Sequence, residues 1–181
     1  MQVENLAAVT PKEDGVRIVV MGPSGSGKST VGIALAEAIG ARFIDGDDLH
    51  PQANVAKMAA GKALDDDDRM PWLRLVGQAL REESNVVIAC SALKRDYRDA
   101  IRVEEPDAYF AELVTDRAML ERRMRERPGH FMPPSLLESQ LKTLEPLGAD
   151  ERGVRVSASG DVPTVVSAIT AAAGVAPQSL R

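Results

Sequence analysis

The chain alternates short aliphatic runs with longer stretches in which apolar positions recur every three or four residues. "VRIVVM" at 16–21 is a continuous, largely β-branched run that ends at Gly22. Such a run reads as a strand buried on both faces. "ARFID", "NVVIAC", "AYFAELV" and "GVRVSA" are further short runs of this kind. Helical periodicity fills the gaps between them. Val31, Leu35, Ala38 and Ile39 recur at helical spacing after Ser29, and Gly40 offers a stop. "NVAKMAAGKAL" and "PWLRLVGQALREE" follow the second strand, with Pro71 suited to a first helical turn. "ALKRDYRDAIR", "DRAMLERRMRER", "PPSLLESQLKTLEPL" and "PTVVSAITAAAG" supply the later helices. Strands alternating with helices predict an α/β fold, a mostly parallel sheet covered on both faces. Residues 1–14 read as a mobile arm, 15–174 as one domain, and 175–181 as a loose tail.

Between the first strand and the first helix lies "GPSGSGKST" (22–30), which matches G-x-x-x-x-G-K-[ST] in the context that motif requires. Glycines there let the backbone wrap phosphates with its amide hydrogens pointing inward, and the helix N-terminus faces the same charge. Gly22, Ser24, Gly25, Ser26, Gly27, Lys28, Ser29 and Thr30 are therefore the candidate nucleotide-binding residues. Lys28 is placed to reach the terminal phosphates, and Ser29 to hold Mg²⁺. No Asn-Lys-x-Asp motif is present to read guanine, and the strand "VVIAC" ends in Cys90 where a motor-type ATPase carries an aspartate. That pattern predicts a compact nucleotide-triphosphate-dependent kinase acting on a small acceptor.

Bulk properties narrow the picture further. At 181 residues, 44% hydrophobic and 27% charged, the chain has the make-up of one globular domain. Aromatics are only 3%, so the core is expected to be aliphatic. A net charge of −5 argues against a nucleic-acid partner. No apolar run reaches the ~18 residues of a membrane span. The first residues carry neither an export nor an import signal, and a lone cysteine fits a reducing compartment, so the expected location is cytoplasmic.

The acceptor side is read from polar residues near strand ends, where open α/β sheets place their ligands. Asp45 and Asp47 follow the second strand, and i, i+2 alternation would aim both at the phosphate loop. One could support Mg²⁺ and the other orient or deprotonate the attacking hydroxyl; an Asx-turn is the simpler alternative. His50 and His130 lack the spacing of a metal site and read equally as ligand donors or turn histidines. Lys94 and Arg98, one helical turn apart, suggest an anionic acceptor; the alternative is a solvated face paired with Asp96 and Asp99. Arg123 and Arg127 form the best-spaced pair in an arginine-rich helix that "PG" stops, and can neutralise a transferring phosphoryl group.

Taken together, "GPSGSGKS", "DGDDLHPQANVAKMAAGKALDDDDRMPWL", "CSALKRDYRDAIR" and "RPGHFMPPSLLESQLKTLEPL" resemble the successive signature blocks of the gluconokinase family, from about residue 16 to 156. The resemblance implies the P-loop kinase fold of nucleoside monophosphate and shikimate kinases, with a five-stranded parallel core and a mobile helical lid over about 122–147. It implies transfer of the ATP γ-phosphoryl group to the 6-hydroxyl of D-gluconate. Residue by residue, it implies Lys28 and Ser29 at the phosphates and Mg²⁺, with Asp45 and Asp47 as the acidic pair and Asp47 nearest the reacting hydroxyl. His50, Arg69, Lys94, Arg98, His130 and Gln140 match positions facing the acceptor, within and beyond a segment at about 45–83. Arg123 and Arg127 match lid arginines. It also leaves room for a homodimer. The run Asp65–Asp68 is expected to cap the helix that Pro71 begins, with Asp66 or Asp68 orienting Arg69 and with Asp65 and Asp67 solvated.

Overall fold

Alternation along the central strands sorts their side chains into two separate apolar layers. The computed structural model describes residues 3–5, 15–126 and 134–178. In order along the chain come β1 (Val3–Asn5), β2 (Arg17–Met21), α1 (Lys28–Ile39) and β3 (Arg42–Asp45). After a 3₁₀ turn at Gly46–Leu49 follow α2 (Gln52–Ala59), α3 (Asp66–Glu82), β4 (Val86–Ala89) and α4 (Arg95–Glu104). β5 (Tyr109–Val114), α5 (Arg117–Glu126), α6 (Pro134–Thr143), β6 (Gly153–Ser157) and α7 (Val162–Ala173) complete the set.

The sheet order is β1-β6-β5-β2-β4-β3. All five expected strands form and pair in parallel. A sixth, β1, runs antiparallel along β6, with Val3 opposite Val156. Part of the stretch expected to be a mobile arm is therefore a sheet edge. The tail differs too: the Gln178 N–H donates to the Ala38 carbonyl at 2.8 Å, which ties the chain past Gly174 to the end of α1.

Ile18 and Val20 of β2 join Val87, Ala111 and Val154 beneath α1 and α7. Val19 and Met21 face the other way, against Ile88, Phe110 and the α3–α4 side chains Trp72, Leu73, Leu80 and Ile101. Both layers are apolar because parallel strands are covered on both faces. The central strands β2 and β4 therefore present only their C-terminal ends, where the phosphate loop and the acidic turn sit.

The acidic run caps a helix, but one that starts earlier than Pro71 suggested. α3 begins at Asp66, with Asp65 as N-cap and Pro71 inside. Asp65 Oδ1 accepts from the Asp68 N–H at 2.9 Å, and Asp68 Oδ2 accepts from the Asp65 N–H at 3.0 Å. This reciprocal box satisfies two N–H groups that otherwise have no partner at the helix start. A proline inside the helix costs it only the bond to Asp67, within the acidic turn. Asp65→Ala is expected to lower unfolding stability by about 1 kcal/mol, measured by urea denaturation, with kcat unchanged.

Candidate active site

The phosphate loop takes its shape from backbone conformations that a side chain would resist. Gly27 has φ 93 and serves as N-cap of α1, so the helix opens directly at Lys28 with its free N–H groups turned towards the loop. The Lys28 ammonium donates to the Pro23 carbonyl at 3.1 Å, across the loop. Ser24 is held from outside: its N–H donates to Gln140 Oε1 at 2.7 Å, and Gln140 Nε2 donates to Ser24 Oγ at 3.1 Å.

A cavity of about 300 Å³ opens over this loop, lined by Ser24, Gly25, Gly27, Lys28, Ser29, Thr30, Asp45, Asp47, Ala89, Cys90 and Arg123. Gly22 lies at the end of β2 with its N–H bonded to the Ser91 carbonyl at 3.3 Å, away from that wall. Ser26 is buried, its hydroxyl without a hydrogen-bond partner, and it lines a second cavity of about 250 Å³ together with Thr30, Arg123, Ala158, Gly160, Val162 and Val165. The loop after β6 thus meets the back of the phosphate loop. Arg123 stands between the two cavities, donating to the carbonyls of Gly25 (3.4 Å), Ser26 (3.1 Å) and Ala158 (3.0 Å). Arg127 and His130 lie outside the described residues.

Asp45 and Asp47 both reach the cavity, though not by strand alternation. The strand stops at Asp45, and Asp47 sits in the 3₁₀ turn. Asp45 serves two purposes. Its Oδ1 accepts from the Asp47 N–H at 3.0 Å, making the Asx-type turn, while Oδ2 lies 3.5 Å from Ser29 Oγ. Gly46 is required between them, since a Cβ there would meet the Ala89 carbonyl at 2.6 Å. The Asp47 side chain is left 82% exposed towards the opening. The Cys90 thiol is pushed by burial to about 12, so it is a neutral wall and no nucleophile at neutral pH.

Ser29 Oγ and Asp45 Oδ2 are hard oxygen donors of the kind Mg²⁺ takes alongside phosphate and water, so the pair fits that ion. Among the described residues no three His, Cys, Asp or Glu side chains converge as a metal site. A metal shared with phosphates needs no such cluster.

His50 is set by residues that the sequence did not single out. Its ring stacks on Trp72 with centroids 4.1 Å apart, and Nδ1 lies 3.3 Å from Asn54 Nδ2. Asn54 in turn donates to the Asp68 carbonyl at 2.9 Å. Burial lowers the imidazole pKa, Asp47 opposes that shift, and Arg69 adds to it. The ring is therefore neutral at pH 7. Trp72 Nε1–H donates to the Gly46 carbonyl at 2.7 Å, locking the acidic turn onto α3. Its status as the lone tryptophan was the available signal.

Arg69 and Lys94 converge on Tyr97, at 5.7 and 5.2 Å from the ring centroid. Asp66 accepts from Lys94 at 2.9 Å and from the Tyr97 hydroxyl at 2.5 Å. Asp68 pairs with Lys57 instead. Neither aspartate holds Arg69, whose Nε donates to the Leu64 carbonyl at 3.3 Å.

Arg98 does not join Lys94 on an open face, contrary to the sequence expectation. It is fully buried and bonded bidentately to Glu151. The reason is tertiary: its partner lies 53 residues away and completes the ion pair inside the protein.

Against this geometry the comparisons with known proteins are decisive. The AAA domain family model matches residues 18–147. The chain is 49% identical over 144 residues to a gluconokinase of Gluconobacter oxydans, covering 77% of this chain and 81% of that one. The chain belongs to the gluconokinase family. It is also 42% identical over 156 residues to the thermosensitive gluconokinase of Escherichia coli, with 83% of each chain covered. The crystal structure of a gluconokinase from Sinorhizobium meliloti superposes with TM-score 0.81 at 47% identity, over 91% of this chain and 94% of that chain. In this chain the phosphate loop and the acidic turn opposite it line one cavity.

Proposed function

We propose that this protein transfers the γ-phosphoryl group of ATP to the 6-hydroxyl of D-gluconate, giving 6-phosphogluconate and ADP. The observation that carries the reading is the single cavity in which Lys28 and Ser29 face Asp45 and Asp47, in a chain of the gluconokinase family. Little covalent chemistry falls to the protein in such a transfer, so its work is positioning and charge stabilisation. The α1 N-terminus and the loop amides receive the phosphates, and Lys28 leaves the Pro23 carbonyl to reach their terminal oxygens. Ser29 and Asp45 are the residues that would hold Mg²⁺, which when bound neutralises charge on the phosphate oxygens. Asp47 accepts a hydrogen bond from the 6-hydroxyl, orients it for in-line attack and takes its proton.

The second cavity, floored by Val162 and Val165 and bounded by the loop after β6, suits the adenine ring. The acceptor lies towards α2 and α3, where neutral His50 offers a hydrogen-bond partner and Arg69 and Lys94 offer positive charge for a carboxylate. Segment 122–147 is the lid in this reading. Arg123 and Gln140, both on it, already touch the phosphate loop. Shielding the site from water limits idle ATP hydrolysis. No helix among the described residues is long and apolar enough to cross a membrane. Together with the single buried cysteine, that supports a cytoplasmic enzyme.

An acceptor panel tests the reading. With ATP and Mg²⁺, gluconate is expected to give a phosphorylated product faster by roughly 100-fold or more, well within what a site built to hydrogen-bond its substrate achieves, than shikimate, other sugar acids or AMP. Faster turnover of shikimate or AMP overturns the substrate assignment. ATP binding without product from any acceptor overturns the enzyme assignment.

A further inference from the structure

Arg98 and Glu151 form a buried ion pair whose backbone contacts all run to two segments beside the site. The Arg98 and Glu151 side chains are each 1% exposed. Arg98 Nε donates to Oε1 at 2.7 Å and Nη2 to Oε2 at 2.8 Å. The remaining nitrogen, Nη1, donates to the carbonyls of Ala92 (3.2 Å), Leu93 (3.4 Å) and Glu145 (3.1 Å). Glu151 accepts in addition from the Gly148 N–H at 2.8 Å and from Arg102 at 2.7 Å. Although burial alone would raise the Glu151 carboxyl, these donors hold it at about 2, so the pair is ionised at neutral pH.

The segments involved are the turn 91–94 after β4 and the stretch 144–151 that follows α6. They also bond to each other, the Glu145 N–H donating to the Leu93 carbonyl at 2.8 Å. The turn borders the site at both ends: Ser91 accepts from the Gly22 N–H of the phosphate loop, and Lys94 pairs with Asp66 and shares the Tyr97 ring with Arg69. Within it Ala92 has φ 42, the one positive φ of a non-glycine residue among those described. L-residues hold that conformation only where the surroundings over-determine it, and Arg98 grips the Ala92 carbonyl.

A buried ion pair adds little net stability over packed apolar side chains, because desolvation offsets the attraction. What it can contribute is a fixed geometry. We propose that Arg98 is a positioning residue for phosphoryl transfer: through Glu151 it clamps the 91–94 turn and the 144–151 stretch into one body against the phosphate loop. Arg98 lines neither cavity. It acts through Lys94 on the acceptor side and through Ser91 on the loop. This inference rests on the gluconate-phosphorylating reading, and turnover of gluconate by the unaltered chain in the same assay separates failure of one from failure of the other.

Three variants test it: R98K, E151Q and the apolar double variant R98M/E151L. Each is assayed well below its melting temperature, with gluconate and ATP varied separately and folding checked by circular dichroism. A lysine ammonium cannot span the fork of contacts that the guanidinium makes. The double variant removes both charges together and so avoids a lone buried ion. Misplacement of reacting groups by about 1 Å costs on the order of 100-fold in rate. The expected result is a fall in kcat of roughly 10–100-fold, a rise in KM for gluconate, and a smaller change in KM for ATP, in every variant that folds. Folded variants with unaltered kcat and KM would make the pair structural only and overturn the proposal. Weakened gluconate binding in R98K beside unchanged KM in E151Q would make Arg98 a direct acceptor ligand, and overturns it equally.

Discussion

Asp47→Asn is expected to lower kcat by about 10²–10⁴-fold while ATP still binds, because the amide keeps the shape of the turn but cannot take a proton. The turn itself does not depend on the Asp47 carboxylate. Its backbone N–H satisfies Asp45 Oδ1 at 3.0 Å, and the Gly46 carbonyl is held by Trp72. The side chain is 82% exposed and lines the cavity with Lys28 and Ser29, so the substitution removes a functional charge without unsettling the core. Steady-state kinetics with gluconate and ATP, set beside nucleotide binding by calorimetry, separates the two effects. Turnover equal to that of the unaltered protein would remove Asp47 from the reaction. A loss of ATP affinity matching the loss of kcat would place it on the nucleotide instead.

Lys28→Ala is expected to reduce kcat by about 10²–10³-fold, the scale seen when one preorganised donor to developing charge is lost. ATP affinity should fall with it, in contrast to Asp47→Asn. Folding should be preserved, since alanine favours the helix that Lys28 opens. The ammonium donates across the loop to the Pro23 carbonyl, on a wall that faces the cavity. Lys28→Arg should restore little activity, because a planar fork does not replace a compact point charge in a loop this tight. Full activity in Lys28→Ala would overturn the assignment of the phosphate loop.

Both predictions depend on residues whose role follows from local chemistry. The phosphate loop is contiguous, and its glycines, lysine and serine carry their function in their order along the chain. The acidic turn is nearly as local, although the mechanism that aims it differs from simple alternation: Asp45 ends the strand, caps a 3₁₀ turn and faces Ser29 at once. Arg98 shows the limit of such reasoning. Its spacing from Lys94 places both on one helical face, yet one side chain is fully buried and the other reaches Asp66. Helical periodicity reports direction about an axis, and whether that direction meets water or Glu151 depends on what packs opposite. Pro71 misled for a related reason, since the capping box at Asp65 and Asp68 starts the helix earlier and tolerates a proline within.

By itself the amino-acid order determined the five parallel strands, the helices between them, the nucleotide loop and the family, because each is written in short-range pattern or contiguous motif. Only the tertiary structure decided which polar residues meet. It seated Gln140 on Ser24, Arg123 on the carbonyls of the phosphate loop, His50 on Trp72 and Arg98 on Glu151. It also turned residues 3–5 into a sheet edge along β6. These pairings join positions far apart in the chain. Their energies come from desolvation and geometry at the point of contact, quantities that no local stretch of residues contains.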